Sequence, residues 1–312
     1  MKILAGVRGW SGKDACGALA MGVFDGIHLG HQRIVRRTAE LAQGSHSCLL
    51  TFHPHPGDVL GRAGPDFLTT IDQRAEILTG LGLDALIVEP FTPDLASMRH
   101  ERFIEHLVGV IAPQNIVVGR NFRYGQGAQG DVSTLLACGC RLGFGTSIVE
   151  PVMLDGTVVS STAIRGLLRQ GDLEAANRMI GRPYSVRGSV VAGDGRGKTL
   201  GFPTANVLPQ PRQVIPPRGV YAVRARLGKR AWPAMANIGV RPTFGQSRQV
   251  LEVHIIGFSG QIYGETLDVD FVEPLRPERL FSGTDALVEQ MKIDKKLAAQ
   301  ALERKLGFVY NA

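Results

Sequence analysis

The chain has 312 residues, 44% hydrophobic and 20% charged, enough for two ordinary domains with packed cores and too apolar for disorder. A formal net charge of +7 favours anionic partners, but no Lys/Arg-rich block or aromatic–basic interleaving is present, so no nucleic-acid partner is expected. No stretch approaches the roughly 20 apolar residues of a membrane span, so no membrane partner is expected and a cytoplasmic enzyme is.

In the first half, short apolar runs alternate with amphipathic segments. Strands are expected at 17–23, 47–52, 85–89, 115–118 and 146–149, and helices at 32–42, 71–81, 99–111 and 132–138. That alternation implies an α/β domain with a parallel sheet covered on both faces, whose ligands lie beyond the carboxyl ends of the strands. Near residue 183 the character changes. Strands at 184–192, 220–227, 234–238, 250–258 and 266–272, separated by turn residues, read as a small antiparallel barrel or sandwich. A last helix is expected at 284–306, begun by Thr284 with Asp285 in its first turn. The expected domains are therefore 1–182 and 183–312. Four cysteines are present, and the Cys138-x-Cys140 pair has no matching cluster elsewhere, so the thiols read as buried or spare.

The segment Met21-Gly-Val-Phe-Asp-Gly-Ile-His-Leu-Gly-His31 follows the first of these strands. Gly22 and Gly26 let backbone approach a ligand closely, and amides at a helix start attract phosphate. His28 and His31 can donate hydrogen bonds to phosphate oxygens as charge builds up. Histidines at this spacing also serve as metal ligands or as plain surface residues at a helix start. His53-Pro-His-Pro56 and Gly119-Arg-Asn-Phe-Arg-Tyr-Gly125 follow two other strands. Ser160, Ser161 and Thr162 precede a helix-like run at 163–170 and offer either a plain N-cap or hydroxyls for phosphate. Arg165 offers a planar fork suited to phosphate.

In the second half, Gly193-Asp-Gly-Arg-Gly-Lys-Thr-Leu-Gly-Phe-Pro-Thr-Ala-Asn206 is glycine-rich. It is not a P-loop, because Ala192 stands where the first glycine would fall. A phosphate cradle and an ordinary turn between strands both fit its glycines. Thr204 and Asn206 supply hard oxygen ligands one residue apart, suited to an Mg²⁺ that keeps several waters. From residue 182 to 248 Asp194 is the only acid, which suits either an anion site or a solvated basic surface.

The string Gly-x-Phe-Asp-Gly-x-His-x-Gly-His resembles the nucleotide-binding element of the HxGH nucleotidyltransferases. Ser160, Ser161, Thr162 and Arg165 match a Ser-Ser-Thr-x-x-Arg element, and Gly-Phe-Pro-Thr-Ala-Asn206 matches a riboflavin kinase motif. Taken together, the chain resembles the prokaryotic-type bifunctional riboflavin kinase/FAD synthetases. The resemblance implies a Rossmann-like FMN adenylyltransferase domain followed by a small antiparallel β-barrel kinase domain with a C-terminal helix. It implies that riboflavin plus ATP gives FMN and ADP, and that FMN plus ATP gives FAD and pyrophosphate, with Mg²⁺ neutralising the polyphosphate.

The resemblance also implies residue roles. Gly22, Phe24 and Gly26 would form the nucleotide-binding turn, and His28 and His31 would stabilise the transferring phosphate. Arg165, Ser160, Ser161 and Thr162 would hold the triphosphate. Asn121 would help shape the nucleotide or flavin site, with Phe122 packing beside it. In the kinase, Gly195 and Lys198 would enclose phosphates, Thr204 and Asn206 would bind Mg²⁺, and Glu252, in Leu-Glu-Val-His254 ahead of Tyr263-Gly264, would be the base. Asn237–Phe244 also matches a family segment, and Gln290 and Asp294 in the last helix would help close over flavin. Two positions depart from the pattern: His53 stands where an acid is common, and Gly257 where an aspartate is. They leave open an alternative in which one module is active and the other is a scaffold or flavin sensor.

Overall fold

The computed structural model describes residues 1–11, 15–61, 64–193, 195–243 and 246–307. Contacts divide the chain into two compact units, Met1–Ser161 and Thr162–Ala312.

In the first unit the elements run β1 (Lys2–Ala5), β2 (Cys16–Met21), α1 (Leu29–Ala42), β3 (His46–His53), α2 (Pro56–Val59), α3 (Ile71–Gly80), β4 (Ala85–Pro90) and α4 (Pro93–Ser97). They continue with α5 (His100–Ile111), β5 (Asn115–Gly119), α6 (Val132–Leu142), β6 (Gly145–Val149) and a small hairpin of β7 (Met153–Leu154) and β8 (Thr157–Val158). The main sheet is parallel in the order β1-β4-β3-β2-β5-β6. Every residue of β2 is buried, because both faces of the sheet are covered. Leu19 and Met21 pack with Phe103, Leu107 and Leu135 from α5 and α6. Ala18 and Ala20, pointing the other way, pack with Ile34, Val35 and Leu78 from α1 and α3. From β2 the chain winds outward to β3 and β4, then returns to β5 on the other side of β2. The switch point therefore lies between β2 and β5, where ligands of such sheets bind.

Sequence signals and elements agree at most strands, and the differences have local causes. α1 begins at Leu29 rather than at residue 32, because the His28 side chain caps it by accepting from the His31 backbone N–H. β1 is a short edge strand that gains its order from parallel pairing with β4.

The second unit contains α7 (Ser161–Gln170, entering from the first unit), α8 (Leu173–Ile180), β9 (Tyr184–Val191), α9 (Arg196–Thr199), β10 (Ala205–Pro209), β11 (Gly219–Leu227), β12 (Arg230–Thr243), β13 (Gln246–Ile255), β14 (Thr266–Arg276) and α10 (Thr284–Leu306). Its strands close an antiparallel barrel in the order β10-β13-β12-β11-β14-β9. The change of sequence character at 183 marks the head of β9, whereas the contact boundary falls after Ser161. α8 belongs with the barrel: Asn177 donates to the Phe271 carbonyl at 2.9 Å and accepts from the Tyr184 N–H at 2.7 Å.

α10 lies on the outer face of the barrel, where Ala298, Ala301 and Leu302 bury against Ala222, Met235 and Val272. Thr284 is the first helical residue, not its cap. Gly283 holds the cap position with no side-chain hydrogen bond, and Asp285 sits in the first turn as expected. Among the described residues, no helix is long and apolar enough to cross a membrane. All four cysteines are free thiols.

Candidate active sites

The turn after β2 brings together five of the expected residues: Gly22, Phe24, Gly26, His28 and His31. Phe24 and Ile27 hold φ angles of 52° and 39°, a left-handed conformation that costs non-glycine residues on the order of 1 kcal/mol or more each. The turn ends on His28, which is buried, with its Nδ1 accepting the His31 N–H at 3.3 Å. That bond leaves the proton of the neutral ring on Nε2, as a donor. The two imidazoles stack with centroids 3.6 Å apart and planes at 18°, and Phe24 packs on His31 at 5.0 Å. The packing is tight at Gly30, where a Cβ would lie 3.2 Å from His28 Cε1. The site therefore offers stacked imidazoles at the start of a 14-residue helix, where the backbone dipole favours anions.

Ser161 also belongs to this turn. Its hydroxyl donates to the Asp25 carbonyl at 2.9 Å, so its one O–H is committed to backbone and only its main-chain N–H remains as a donor for phosphate. Ser160 is half-buried and Thr162 exposed. Thr162 and Arg165 fall in the second unit, with Arg165 buried one turn into α7. Asn121 is exposed two residues past β5. Phe122 is partly buried against the core and stacks on Tyr124 at 5.4 Å, so it packs as expected. His53 is exposed at the end of β3, and His55 caps α2 by accepting from the Gly57 N–H at 3.0 Å.

In the second unit a cavity of about 360 Å³ opens between the barrel, the glycine-rich segment and α10. Part of its polar lining is one cross-strand row. Glu252 on β13 pairs with Asn206 on β10 and with Asn237 on β12. Residues in register share a face, so the carboxylate is flanked on both sides by amides. Thr204 lines the same cavity, two residues before Asn206. Asn206 fits against the main chain so closely that a Cβ on Gly193 would meet its Nδ2 at 2.0 Å. Met235, two residues before Asn237 on the same face of β12 and in register with His254, and Leu287 and Met291 of α10 supply apolar surface.

His254, on the same face of β13 as Glu252, lines the cavity too. Its Nδ1 donates to the Pro203 carbonyl at 2.8 Å and its ring meets Phe202 edge-on at 5.2 Å. Burial holds this imidazole below its ordinary pKa. The Glu-x-His motif placed this residue, but its tie to the Pro-Thr-Ala-Asn segment is visible only in three dimensions. Gly195 lines the cavity with a φ of 71°, while Lys198 lies in α9 with its side chain outside the described part. Gly257, the departure from the expected aspartate, has a φ of 74°, a turn conformation that Gly, Asn and Asp share most readily.

Gln290 and Asp294 stand differently from the expectation: Asp294 is among the residues that line the cavity and Gln290 is not. Asp294 is 2% exposed, and its carboxylate is held by Arg276 at 2.8–3.0 Å and by Gln290 at 2.7 Å. Gln290 in turn accepts from Arg279. Arg276 and Arg279 both stand over the Phe281 ring, at 5.6 and 4.8 Å. Asp294 is thus a strut that fixes an arginine at the cavity rim.

Comparison with known proteins adds to this geometry. The family model for FAD synthetase matches residues 12–163, and that for riboflavin kinase matches residues 180–302. A bifunctional riboflavin kinase/FMN adenylyltransferase of Bacillus subtilis (strain 168) is 35% identical over 298 residues, covering 92% of each chain. Its counterpart in Listeria monocytogenes is 35% identical over 283 residues, covering 89% of this chain and 90% of that one. A solved Streptococcus pneumoniae structure, described as a macrolide-efflux protein, superposes with a TM-score of 0.85 at 28% identity, over 95% of this chain and 97% of that one.

Proposed function

The chain belongs to the bifunctional riboflavin kinase/FMN adenylyltransferase family, and from that membership we propose which residues carry its two reactions. It is a transferase that phosphorylates riboflavin to FMN with ATP and adenylylates FMN to FAD with release of pyrophosphate. Riboflavin, FMN, FAD and ATP are its small-molecule partners, and we place both reactions in the cytoplasm.

The kinase reaction belongs to the barrel cavity. Glu252 accepts the proton of the riboflavin hydroxyl as that oxygen attacks the γ-phosphorus of ATP, and ADP leaves. The flanking amides of Asn206 and Asn237 orient the carboxylate, and the apolar wall receives the flavin. Thr204 and Asn206 present hard oxygens at the entry of β10, a donor set that suits Mg²⁺ arriving with the phosphates of ATP. When bound, that ion supplies charge neutralisation along the polyphosphate. Among the described residues no group of three or more His, Cys, Asp or Glu side chains gathers into a metal cage, and one or two protein oxygens beside phosphate need none.

The adenylyl transfer belongs to the turn after β2. There the FMN phosphate attacks the α-phosphorus of ATP in line, and the protein contributes position and positive potential. His28, through Nε2–H, and His31 hold the transferring phosphoryl oxygens. The Ser161 main-chain N–H and the Ser160 hydroxyl hold the triphosphate there, Gly22 and Gly26 let the backbone come close to it, and Thr162 and Arg165 keep the triphosphate role that the family motif implies. Phe24 braces His31, and Asn121 borders the nucleotide or flavin.

The row Asn206–Glu252–Asn237 is the observation that carries the kinase assignment, because it sets a single carboxylate between two amides on a cavity wall. Glu252→Gln keeps the shape and removes the base. It should lower kcat for riboflavin phosphorylation by about 10²–10⁴-fold with little change in the KM for ATP. Parent-level turnover in that variant would refute the assignment.

A further inference from the structure

We propose that the buried Asp25–Arg74 ion pair, acting with Thr69, holds the His28/His31 turn in its working shape, making Asp25 and Arg74 positioning residues for adenylyl transfer. The proposal rests on the assignment of that transfer to His28 and His31.

The turn needs an external hold. Phe24 and Ile27 stand at φ 52° and 39°, and side-chain-bearing residues keep such conformations only where their surroundings over-determine them. The surroundings here form one connected hydrogen-bond set. The Asp25 carboxylate accepts from the Leu68 N–H at 2.9 Å, from the Thr69 N–H at 3.1 Å and from Arg74 Nη2 at 3.2 Å. Thr69 Oγ1 accepts from the Gly26 N–H at 2.9 Å and from Arg74 Nε at 3.2 Å. Arg74 Nη1 donates to the Val23 carbonyl at 3.1 Å, which the Thr51 hydroxyl also reaches at 2.7 Å. Gln32 Nε2 closes the far end by donating to the Ile27 carbonyl at 3.0 Å.

Residues 23, 25 and 26 are therefore pinned to β3, to the approach of α3 and to α3 itself. The Asp25 and Arg74 side chains are 4% and 8% exposed. A guanidinium satisfies Val23, Asp25 and Thr69 together because its donors point in fixed directions, which a lysine ammonium does not reproduce. His28 follows Gly26 by two residues, so a shift of the pinned peptides is passed to the imidazole. A displacement near 1 Å in a reacting group is enough to cost about 10²-fold in rate.

Two variants test this on the intact chain, Arg74→Lys and the milder Thr69→Val, which removes the acceptor for the Gly26 N–H. Riboflavin phosphorylation, carried out by the other unit, controls for loss of the whole chain, and unchanged KM values for ATP and FMN show that the first unit is still folded. The expected result is a fall in kcat for FMN adenylylation of about 10- to 100-fold, with the KM values for ATP and FMN moving by less than about threefold. Riboflavin kinase turnover should stay at the parent level. In ¹⁵N-histidine spectra the His28 Nδ1 signal should move in both variants. Parent-level adenylylation in both variants overturns the proposal, and so does a joint loss of both activities, which marks a fold defect. His28→Ala separates the two layers. If it retains adenylylation, the underlying assignment is wrong; if it is inactive while Arg74→Lys is not, only the positioning role fails.

Discussion

Asp294→Asn removes the anionic partner of Arg276 while keeping the shape of the side chain. Asp294 is 2% exposed and the Arg276 side chain 17%, with contacts of 2.8–3.0 Å between them. Breaking a buried ion pair from one side costs about 3–5 kcal/mol, because the remaining charge is stranded. Partial exposure lets water reach the guanidinium, so the lower end, about 3 kcal/mol, is expected. With an m-value of about 2 kcal/mol per molar urea, the midpoint of the second unit should fall by about 1.5 M. The chain has two tryptophans, Trp10 in the first unit and Trp232 in the second, so a Trp10→Phe background makes fluorescence report the barrel unit alone. If the midpoint is unchanged while the riboflavin KM rises more than tenfold, Asp294 is a ligand of the flavin and the strut reading is refuted.

Three further perturbations separate the two sites. Gly193→Ala places a Cβ 2.0 Å from Asn206 Nδ2, so the amide must move, and the KM for MgATP in the kinase reaction should rise by about tenfold; unchanged kinetics would show that Asn206 is not a ligand. Gly30→Ala presses on His28 from 3.2 Å and should lower kcat for FAD formation by about tenfold while leaving the kinase alone, a split read by assaying both reactions on one preparation. Burial holds the His254 imidazole below its ordinary 6.5. The unfolded chain then binds more protons, so this contribution to stability is present above about pH 6.5 and is lost as the pH falls through the depressed folded value. The urea midpoint of the barrel unit should therefore drop between about pH 7.5 and pH 5.5, and His254→Gln should flatten that slope; equal slopes would contradict it.

What the sequence disclosed and what it withheld divide by range of contact. His28, His31, Thr204, Asn206 and Glu252 were legible because each lies within a short motif. The two faces of the parallel sheet were legible because β2 is an unbroken buried run. α8 carried a readable signal that the expected elements passed over: Asp172 caps it, Gly181 closes it at a φ of 79°, and Leu173, Ala176, Met179 and Ile180 form its buried stripe. β10 was hidden inside the Pro-Thr-Ala-Asn motif, since Ala205–Pro209 holds a single β-branched residue and gains its strand character from pairing with β9 and β13. Asp25 and Asp294 were legible as motif members but not in their work. Their partners, Arg74 and Arg276, stand on other elements, and local periodicity carries no information about such pairs.

The most direct measurement is a product analysis of two variants of the intact chain supplied with riboflavin, ATP and Mg²⁺. Glu252→Ala should leave riboflavin unconverted yet still make FAD from added FMN, whereas His28→Ala/His31→Ala should stop at FMN. Failure of Glu252→Ala to make FAD from added FMN, failure of the double histidine variant to make FMN, or FAD from riboflavin in either variant would contradict two separate sites for phosphoryl and adenylyl transfer.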